Sequence, residues 1–557
     1  MESEIINDLK KWIEKATGEN VILERPNDNN HGDFSTNIAL IVAKKEKKNP
    51  KEVANKIVEE LMENLGEMEK VKKIEVAGAG FVNIFLKNDF LIKEIEKINY
   101  ENEFREKLNK YGQNKTLVID YSAPNIAKPF GIGHLRSTNI GQAIYNTYKI
   151  LGWKCIGDNH IGDWGTQFGK LIVAIKKYNK KKIENLTVED LEKMYVQFHK
   201  DAETDENLVI EGRKWFEKLE NGDKEARDIW QKCIDISWIE FNRVYELLGV
   251  KIDNVLGESF YEDKLKAVTE EIIEKGITKE SENAVIIEFD DMPPAMLTKS
   301  DGTTTYFGRD LATIKYRKKT WNPDLVIYEV GADQALHFRQ LFRVVEMMGW
   351  MNGKKLVHIA HGLIRWKGGK FSTRKGDTIH LSDVIEKARE KAKSMAKEIN
   401  NESIEKIAIG AIKFSDLATD PRKDVIFDWD KVMSLEGNSG PYLQYTYVRA
   451  KSVLDKSRID EQKNIFNIPI SLAAAEEKMV RELSRFEEKI VESANRYSPA
   501  VLAEYLLNMA RSFNEFYENN RIIDSEEEDF RIFLTKVVTS VLKTGLKILG
   551  IETVEKM

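Results

Sequence analysis

Two cysteines, Cys155 and Cys233, are all that a chain of 557 residues contains. That is too few for a disulfide framework or for a zinc site built from thiolates. An uninterrupted apolar run of about 18 residues is also lacking, so no membrane-spanning helix is expected. The first residues, Met1-Glu2-Ser3-Glu4, are acidic, unlike the basic start of a secretory signal. Nor is there an excess of positive charge. Charged residues make up 32% of the chain, yet the formal net charge is −6. This excludes a nucleic-acid binder that relies on bulk charge and leaves local basic strips as the source of any phosphate contacts. No internal repeat or low-complexity segment stands out. What remains is 42% hydrophobic and too long for one core. Two to four domains of a soluble, cytoplasmic protein are expected.

The periodicity changes twice along the chain. Residues 1–112 read as a small α+β unit, with helical patterns at 4–16 and 50–65 and strand-like Lys73–Val76 and Phe81–Phe85 joined by Ala77-Gly78-Ala79-Gly80. Over 113–398, strand candidates at 116–121, 153–158, 284–289, 324–330 and 356–361 alternate with helices. That pattern predicts an α/β fold with a doubly wound, Rossmann-like parallel sheet, interrupted by a helical insertion at about 178–250. Beyond about 400 the strand signal vanishes. Helices at 403–418, 440–457, 471–495, 499–518 and 527–549 predict an all-α region over 399–557.

One segment concentrates the chemistry. The strand-like Thr116–Tyr121 runs into Ser122-Ala123-Pro124-Asn125-Ile126-Ala127-Lys128-Pro129-Phe130-Gly131-Ile132-Gly133-His134, and helical composition resumes at about Leu135. Strand, Gly/Pro loop with a lysine, then a helix opening at Gly133-His134 is an arrangement that binds phosphate at a helix N-terminus. Farther on, Gly368-Gly369-Lys370-Phe371-Ser372-Thr373-Arg374-Lys375-Gly376 is a basic loop with glycines at both ends, following the strand-like Leu356–Ala360. Alone, such a loop is usually solvated surface.

The first segment resembles the His-x-Gly-His signature of class I aminoacyl-tRNA synthetases, with Gly131 in place of the first histidine. The second resembles their Lys-Met-Ser-Lys-Ser loop, and the flanks of the first resemble the arginyl family. The resemblance spans essentially the whole chain and implies an arginine–tRNA ligase. Its partners are ATP with Mg²⁺, L-arginine and tRNA(Arg), with no protein-built metal site and a monomeric enzyme. It also implies that bound tRNA is needed for the activation step. Lys370, His134 and Lys128 are then catalytic, Lys128 standing in part for the missing imidazole. Gly133, His134, Gly331, Asp333, His337, Lys370, Phe371 and Ser372 surround the nucleotide. Asp120, Asn125, Glu258, Tyr306, Asp310 and Gln334 hold arginine, although the family has glutamate more often than aspartate at the position of Asp120. Tyr306 and Asp310 are four apart and share a face if the segment is helical. A guanidinium with five N–H donors calls for such paired acceptors. His160 either lines the nucleotide pocket or is structural.

For tRNA, the resemblance assigns Phe81 and Asn83 to a base of the outer corner, and Tyr442, Tyr445, Arg449 and Met557 to the anticodon. Stacking plus an amide hydrogen bond is how an unpaired base is read. Phe81 as core and Asn83 as a strand-edge polar residue is the competing reading, and an aromatic stripe at helical spacing is more often core. Three rivals bear on the whole: a synthetase of another specificity, an RNA-binding relative without catalysis, and a small nucleotidylyltransferase. The absence of a zinc-type Cys/His set weighs against the cysteinyl member of the first group. Lys370, His134 and Asp310 oppose the second, and the flanking regions oppose the third.

Overall fold

The computed structural model describes all residues except 27, 301, 368–379, 396–398, 458–465 and 467. Lys370, Phe371 and Ser372 therefore lie outside the described residues. The chain divides into two compact units, one made of 1–110, 443–496 and 501–545, the other of 111–442, 497–500 and 546–557.

In the first unit a three-stranded antiparallel sheet, ordered Phe34–Thr36, Phe81–Leu86, Val71–Ala77, forms the predicted hairpin about Gly78 and Gly80. Helices Glu4–Thr17, Ile38–Glu46 and Pro50–Glu63 accompany it. Asp33 is buried and accepts the Leu86 amide at 2.7 Å, while its other oxygen pairs with Arg481. Arg25 likewise reaches Glu488 at 2.9 Å. The polar stretch ahead of the first strand is thus tied to the helical part of the same unit. Of the predicted C-terminal helices, 471–495 is two, Ala474–Ser484 and Phe486–Arg496.

The second unit is built on a five-stranded parallel sheet of β1 (Thr116–Asp120), β2 (Lys154–Asn159), β3 (Asn254–Val255), β4 (Leu325–Gly331) and β5 (Lys355–His361). Its spatial order is β5-β4-β1-β2-β3, which read from the other edge is 3-2-1-4-5. The order reverses between β1 and β4, and ligands of such sheets bind at the carboxyl ends of the strands at that switch point. Val118, Ile156, Val326 and Tyr328 pack with Leu311, Phe307 and Leu341 in one buried cluster.

Four of the five predicted strands enter this sheet and one does not. Residues 284–289 supply Ala284–Ile287 to a separate antiparallel sheet with Lys279–Ser281 and Ala295–Thr298. Glu282 and Asn283, at φ 50° and 61°, make the two-residue hairpin turn whose right-handed twist suits antiparallel pairing. Its place in the parallel sheet is taken by β3, two residues long and too short for any periodicity. Strand is not wholly absent after 400 either, because Val425–Phe427 pairs in parallel with Ile364–Trp366. The insertion is helical as expected, with Val188–Ala202, Glu206–Glu220 and a long helix over Lys224–Leu248.

Candidate active site

Helix α1 (Ile132–Ile150) opens directly after the signature loop, with Gly131 as its N-cap. It is nearly all buried, and Arg136 fastens it by bonding Asp416 at 2.8 Å and the Lys423 carbonyl at 2.8 Å. A Cβ placed on Gly133 would meet nothing within 4 Å. The helix N-terminus thus faces open space, which a ligand can enter. His134 Nδ1 accepts the Gly131 amide at 3.2 Å. Burial, with Lys128 adding to it, lowers the ring to about 4, so it is neutral near pH 7. A neutral imidazole that accepts at Nδ1 carries its proton at Nε2. His134 is therefore set to donate from Nε2 without bearing charge.

The loop before α1 is under conformational load. Ser122, Ala123 and Ala127 have φ of 76°, 41° and 61°, left-handed conformations that cost roughly 1–3 kcal/mol each in non-glycine residues. Each amide is held by a buried side chain. Ser122 N–H donates to Ser137 Oγ at 2.9 Å, Ala123 N–H to Asn159 Oδ1 at 3.0 Å, and Ala127 N–H to Ser237 Oγ at 2.9 Å. Asn125 is left exposed between these anchors and Lys128 just after the last of them. Asn125 bridges to Gly162, where a Cβ would lie 2.3 Å from Asn125 Oδ1, so a larger residue there would push the Asn125 side chain aside. A cavity of about 310 Å³ opens beside the loop, lined by Asn125, Lys128, Gln167, Phe168 and Tyr195 among others.

Acidic groups gather on another side of the switch point. A helix over Tyr306–Trp321, capped by Thr305, carries Tyr306 exposed in its first turn and Asp310 in its second. Asp310 Oδ2 accepts from His337 Nε2 at 2.6 Å, and its Oδ1 stands 3.9 Å from His160 Nε2. His337 is thus drawn to the residue expected to meet a guanidinium, although the sequence reading puts the two in separate groups. Arg309 turns inward to Glu262 at 2.7 Å and Glu258 at 3.5 Å. Burial raises the Glu258 carboxyl to about 8, against the opposing pull of Arg309. Glu258 is consequently protonated near neutrality. Asp333 and Gln334 are exposed in the short turn between β4 and the helix Ala335–Met348.

Asp120 departs from its expectation. Its Oδ2 is taken by Arg317 at 2.7 Å, and the same guanidinium bonds Asp158 at 2.7 Å. All three are buried beneath the strand ends. An arginine without exposure needs such carboxylates, so one oxygen of Asp120 is committed to bracing β1 against β2.

The tRNA candidates separate. Phe81 is 42% exposed, but Asn83 is buried and its Oδ1 accepts from Ser35 Oγ at 2.8 Å. On the helix Gly440–Lys456 the core stripe is Leu443, Tyr447, Ala450 and Val453. Tyr445 and Arg449 stand off that stripe, half-buried. Arg449 lies over the Tyr445 ring at 4.9 Å and the Tyr517 ring at 5.2 Å and bonds Asn514 at 2.7 Å. Tyr442 and Met557 are also half-buried.

Reasoning from sequence missed the Arg309–Glu262 pair, in which the arginine is buried and the glutamate half-buried, and the loop anchors Ser137, Asn159 and Ser237. Only the i, i+4, i+8 spacing of Ser237, Phe241 and Tyr245 signalled one inward helix face.

Comparisons with known proteins agree with this geometry. Residues 97–429 match the family model for tRNA synthetases class I (R), catalytic domain. Residues 443–557 match the DALR anticodon binding domain and residues 1–86 the arginyl tRNA synthetase N terminal domain. The arginine–tRNA ligase of Halothermothrix orenii is 41% identical over 521 residues, 91% of each chain. That of Clostridioides difficile is 38% identical over 99% of each. Among solved structures, arginyl-tRNA synthetase from Plasmodium falciparum superposes with a TM-score of 0.84 at 26% identity, covering 100% of both chains. The Thermus thermophilus enzyme shares the fold, with a TM-score of 0.84 at 22% identity over 99% of this chain and 100% of that one. The chain belongs to the arginyl-tRNA synthetases of class I.

Proposed function

We infer that the protein is an arginine–tRNA ligase, which activates L-arginine with ATP and transfers it to the 3′ end of tRNA(Arg), releasing AMP and pyrophosphate. Membership of class I implies ATP as the nucleotide. The observation that carries the assignment is the grouping at one switch point of a phosphate-type helix N-terminus and a set of acids suited to a cation. Charging of total tRNA, tried with each of the twenty amino acids, tests it. Arginine alone is expected to be accepted, and acceptance of another amino acid or of none overturns the reading.

In the mechanism we propose, the arginine carboxylate attacks the α-phosphate and pyrophosphate leaves. The open N-terminus of α1, with Gly133, presents amides to the phosphates, and His134 donates from Nε2. Lys128 and Lys370 supply cations where negative charge accumulates on the departing group. Mg²⁺, carried in with ATP, neutralises phosphate charge. Gly331, Asp333, Phe371 and Ser372 are assigned to the nucleotide. Asp310, Tyr306 and Glu258 take the guanidinium, and Asn125 with Gln334 takes the α-amino and carboxylate groups. His337 and His160 then border the guanidinium site through Asp310. Asp120 acts mainly through its bond to Arg317. We assign residues 1–112 and 399–557 to tRNA contact on either side of the catalytic region 113–398. The reading places a monomeric enzyme in the cytoplasm; among the described residues no helix is long and apolar enough to cross a membrane.

Glu258 makes arginine binding depend on pH. Burial pushes its carboxyl up to about 8, and a bound guanidinium favours the carboxylate, so binding expels a proton. Below that pH the proton must be removed first. KM for arginine is therefore expected to fall as pH rises from 6 toward 8, by up to about tenfold per unit, and to level off above. Glu258→Gln flattens the profile. A wild-type KM that does not change over this range excludes Glu258 from the site.

Tyr445 and Arg449 are proposed to meet the anticodon. Because Tyr445 stands off the core stripe, Tyr445→Ala is expected to weaken tRNA binding by about 1–3 kcal/mol and leave the melting temperature nearly unchanged. A lowered melting temperature with normal tRNA affinity retires the contact.

A further inference from the structure

The insertion's long helix, α2 (Lys224–Leu248), carries none of the groups assigned above to substrates, yet it reaches the signature loop at three points. It is well anchored, with Asp223 accepting the Ala226 amide at 3.0 Å at its start and Gly249 left-handed, φ 61°, at its end. One face presents Ser237, Phe241 and Tyr245, all buried. Ser237 is wholly buried. Its Oγ accepts the Ala127 amide at 2.9 Å and donates to its own helix at the Cys233 carbonyl, 2.8 Å. The hydroxyl is thus oriented from both sides. Tyr245 OH lies 2.8 Å from Ser122 Oγ and accepts Asn159 Nδ2 at 2.9 Å, while Asn159 Oδ1 takes the Ala123 amide. Between these two anchors Phe130 stands edge-on to Phe241 and Tyr245, at 6.2 and 6.0 Å, and to His134 at 5.3 Å.

α2 thus holds Ala127 by its amide, Ser122 by its hydroxyl and Ala123 through Asn159, and these are the loop's three left-handed positions. Alanine and serine resist that conformation, so it persists only where outside bonds hold it. Ala127 is the residue before Lys128, and the loop from 123 to 127 contains Asn125. We propose that α2 is a positioning element for adenylate formation, in which Ser237 and Tyr245 hold the loop in its left-handed form and thereby aim Lys128 and Asn125 at the reacting groups. The insertion then takes part in catalysis without touching substrate. This rests on the substrate roles given above to Lys128 and Asn125.

Arginine-dependent pyrophosphate exchange, measured with tRNA present, tests it. Ser237→Ala is expected to lower kcat by about 10- to 100-fold, as misaimed groups do. Tyr245→Phe keeps the packing on Phe130 and is expected to lower kcat in the same direction, by roughly 10-fold. Glycine adopts φ near +60° at little cost, so Ala127→Gly added to Ser237→Ala should restore at least half of the logarithmic loss. A structural hydroxyl would not be rescued from the loop. The proposal is overturned if both single variants stay within about twofold of wild type, or if Ala127→Gly restores nothing. If Ser237→Ala does not fold, Tyr245→Phe decides alone. Lys128→Ala is the control for the underlying reading. Its normal activity would remove the role of Lys128, whereas low activity there beside normal Ser237 and Tyr245 variants removes only the positioning role of α2.

Discussion

Replacing Asp310 with asparagine is expected to lower kcat/KM for arginine by roughly 30- to several-thousand-fold, the equivalent of about 2–5 kcal/mol for a desolvated charge partner. Asparagine keeps the shape and one acceptor but removes the charge. His337 bonds Asp310 at 2.6 Å, and only 27% of the Asp310 side chain is exposed. A guanidinium can take Oδ1, which His160 approaches only to 3.9 Å, and competes with the imidazole for Oδ2. It can do so because it carries a full charge and a fork of donors, where one imidazole nitrogen makes a single bond. The same logic sets discrimination. Lysine brings a point charge without the fork, so losing the carboxylate should damage arginine use most and narrow the gap between the two amino acids. Steady-state kinetics in arginine decide the matter, with circular dichroism to show the variant folded. An unchanged kcat/KM removes Asp310 from the guanidinium site.

How much of this was legible in the sequence depended on whether the governing interaction was local. β1, β4 and β5 carry short runs in which Val and Ile recur, the local signature of a strand, whereas β2, Lys-Cys-Ile-Gly-Asp-Asn, has only Ile156 of that kind. The Ala284–Ile287 strand has the same local signature but closes on Lys279–Ser281 through Glu282-Asn283. Its sheet is chosen by a two-residue turn, which periodicity over the strand does not register. β3 is invisible because two residues have no period. The same division runs through the site. Gly133, His134 and Asp310 lie in motifs whose spacing is itself the chemistry. Arg309 sits between Tyr306 and Asp310 in that segment, and nothing local tells that it points to Glu258 and Glu262 while Asp310 points to His337. Asp120 shows the converse. Its position in a motif suggests a ligand contact, but Arg317 lies 197 residues away in sequence and claims one of its oxygens. Asn83 is similar, since Ser35, which it bonds, comes from another strand of the same sheet. Partners distant in sequence are what pattern reading cannot supply.

Lys370→Ala is expected to lower kcat by about 10²-fold or more, while KM for ATP moves little, as befits a group that acts on charge developing in the transition state. Lys370 itself lies outside the described residues, while the chain is described on both sides of its segment. Upstream, β5 leads into Ile364–Trp366, which pairs with Val425–Phe427. Downstream, His380 bridges to Gly131 and the Leu381 amide donates to the Phe130 carbonyl at 3.0 Å. The segment therefore returns to the chain at the N-cap of α1, beside His134, where the phosphates are proposed to lie. Lys370 precedes that bridge by ten residues in sequence, and its charge is proposed to act on the departing pyrophosphate. Lys128 follows Ala127 on the loop held by Ser237, and the two cations need not share the work equally. Single-turnover adenylate formation and pyrophosphate exchange on Lys370→Ala, Lys128→Ala and the double variant apportion it. Losses that multiply in the double variant mean that each lysine stabilises the leaving group independently. A double variant no worse than Lys128→Ala, with Lys370→Ala near wild type, means that Lys128 alone carries the charge that Gly131, in place of a histidine, leaves unassisted.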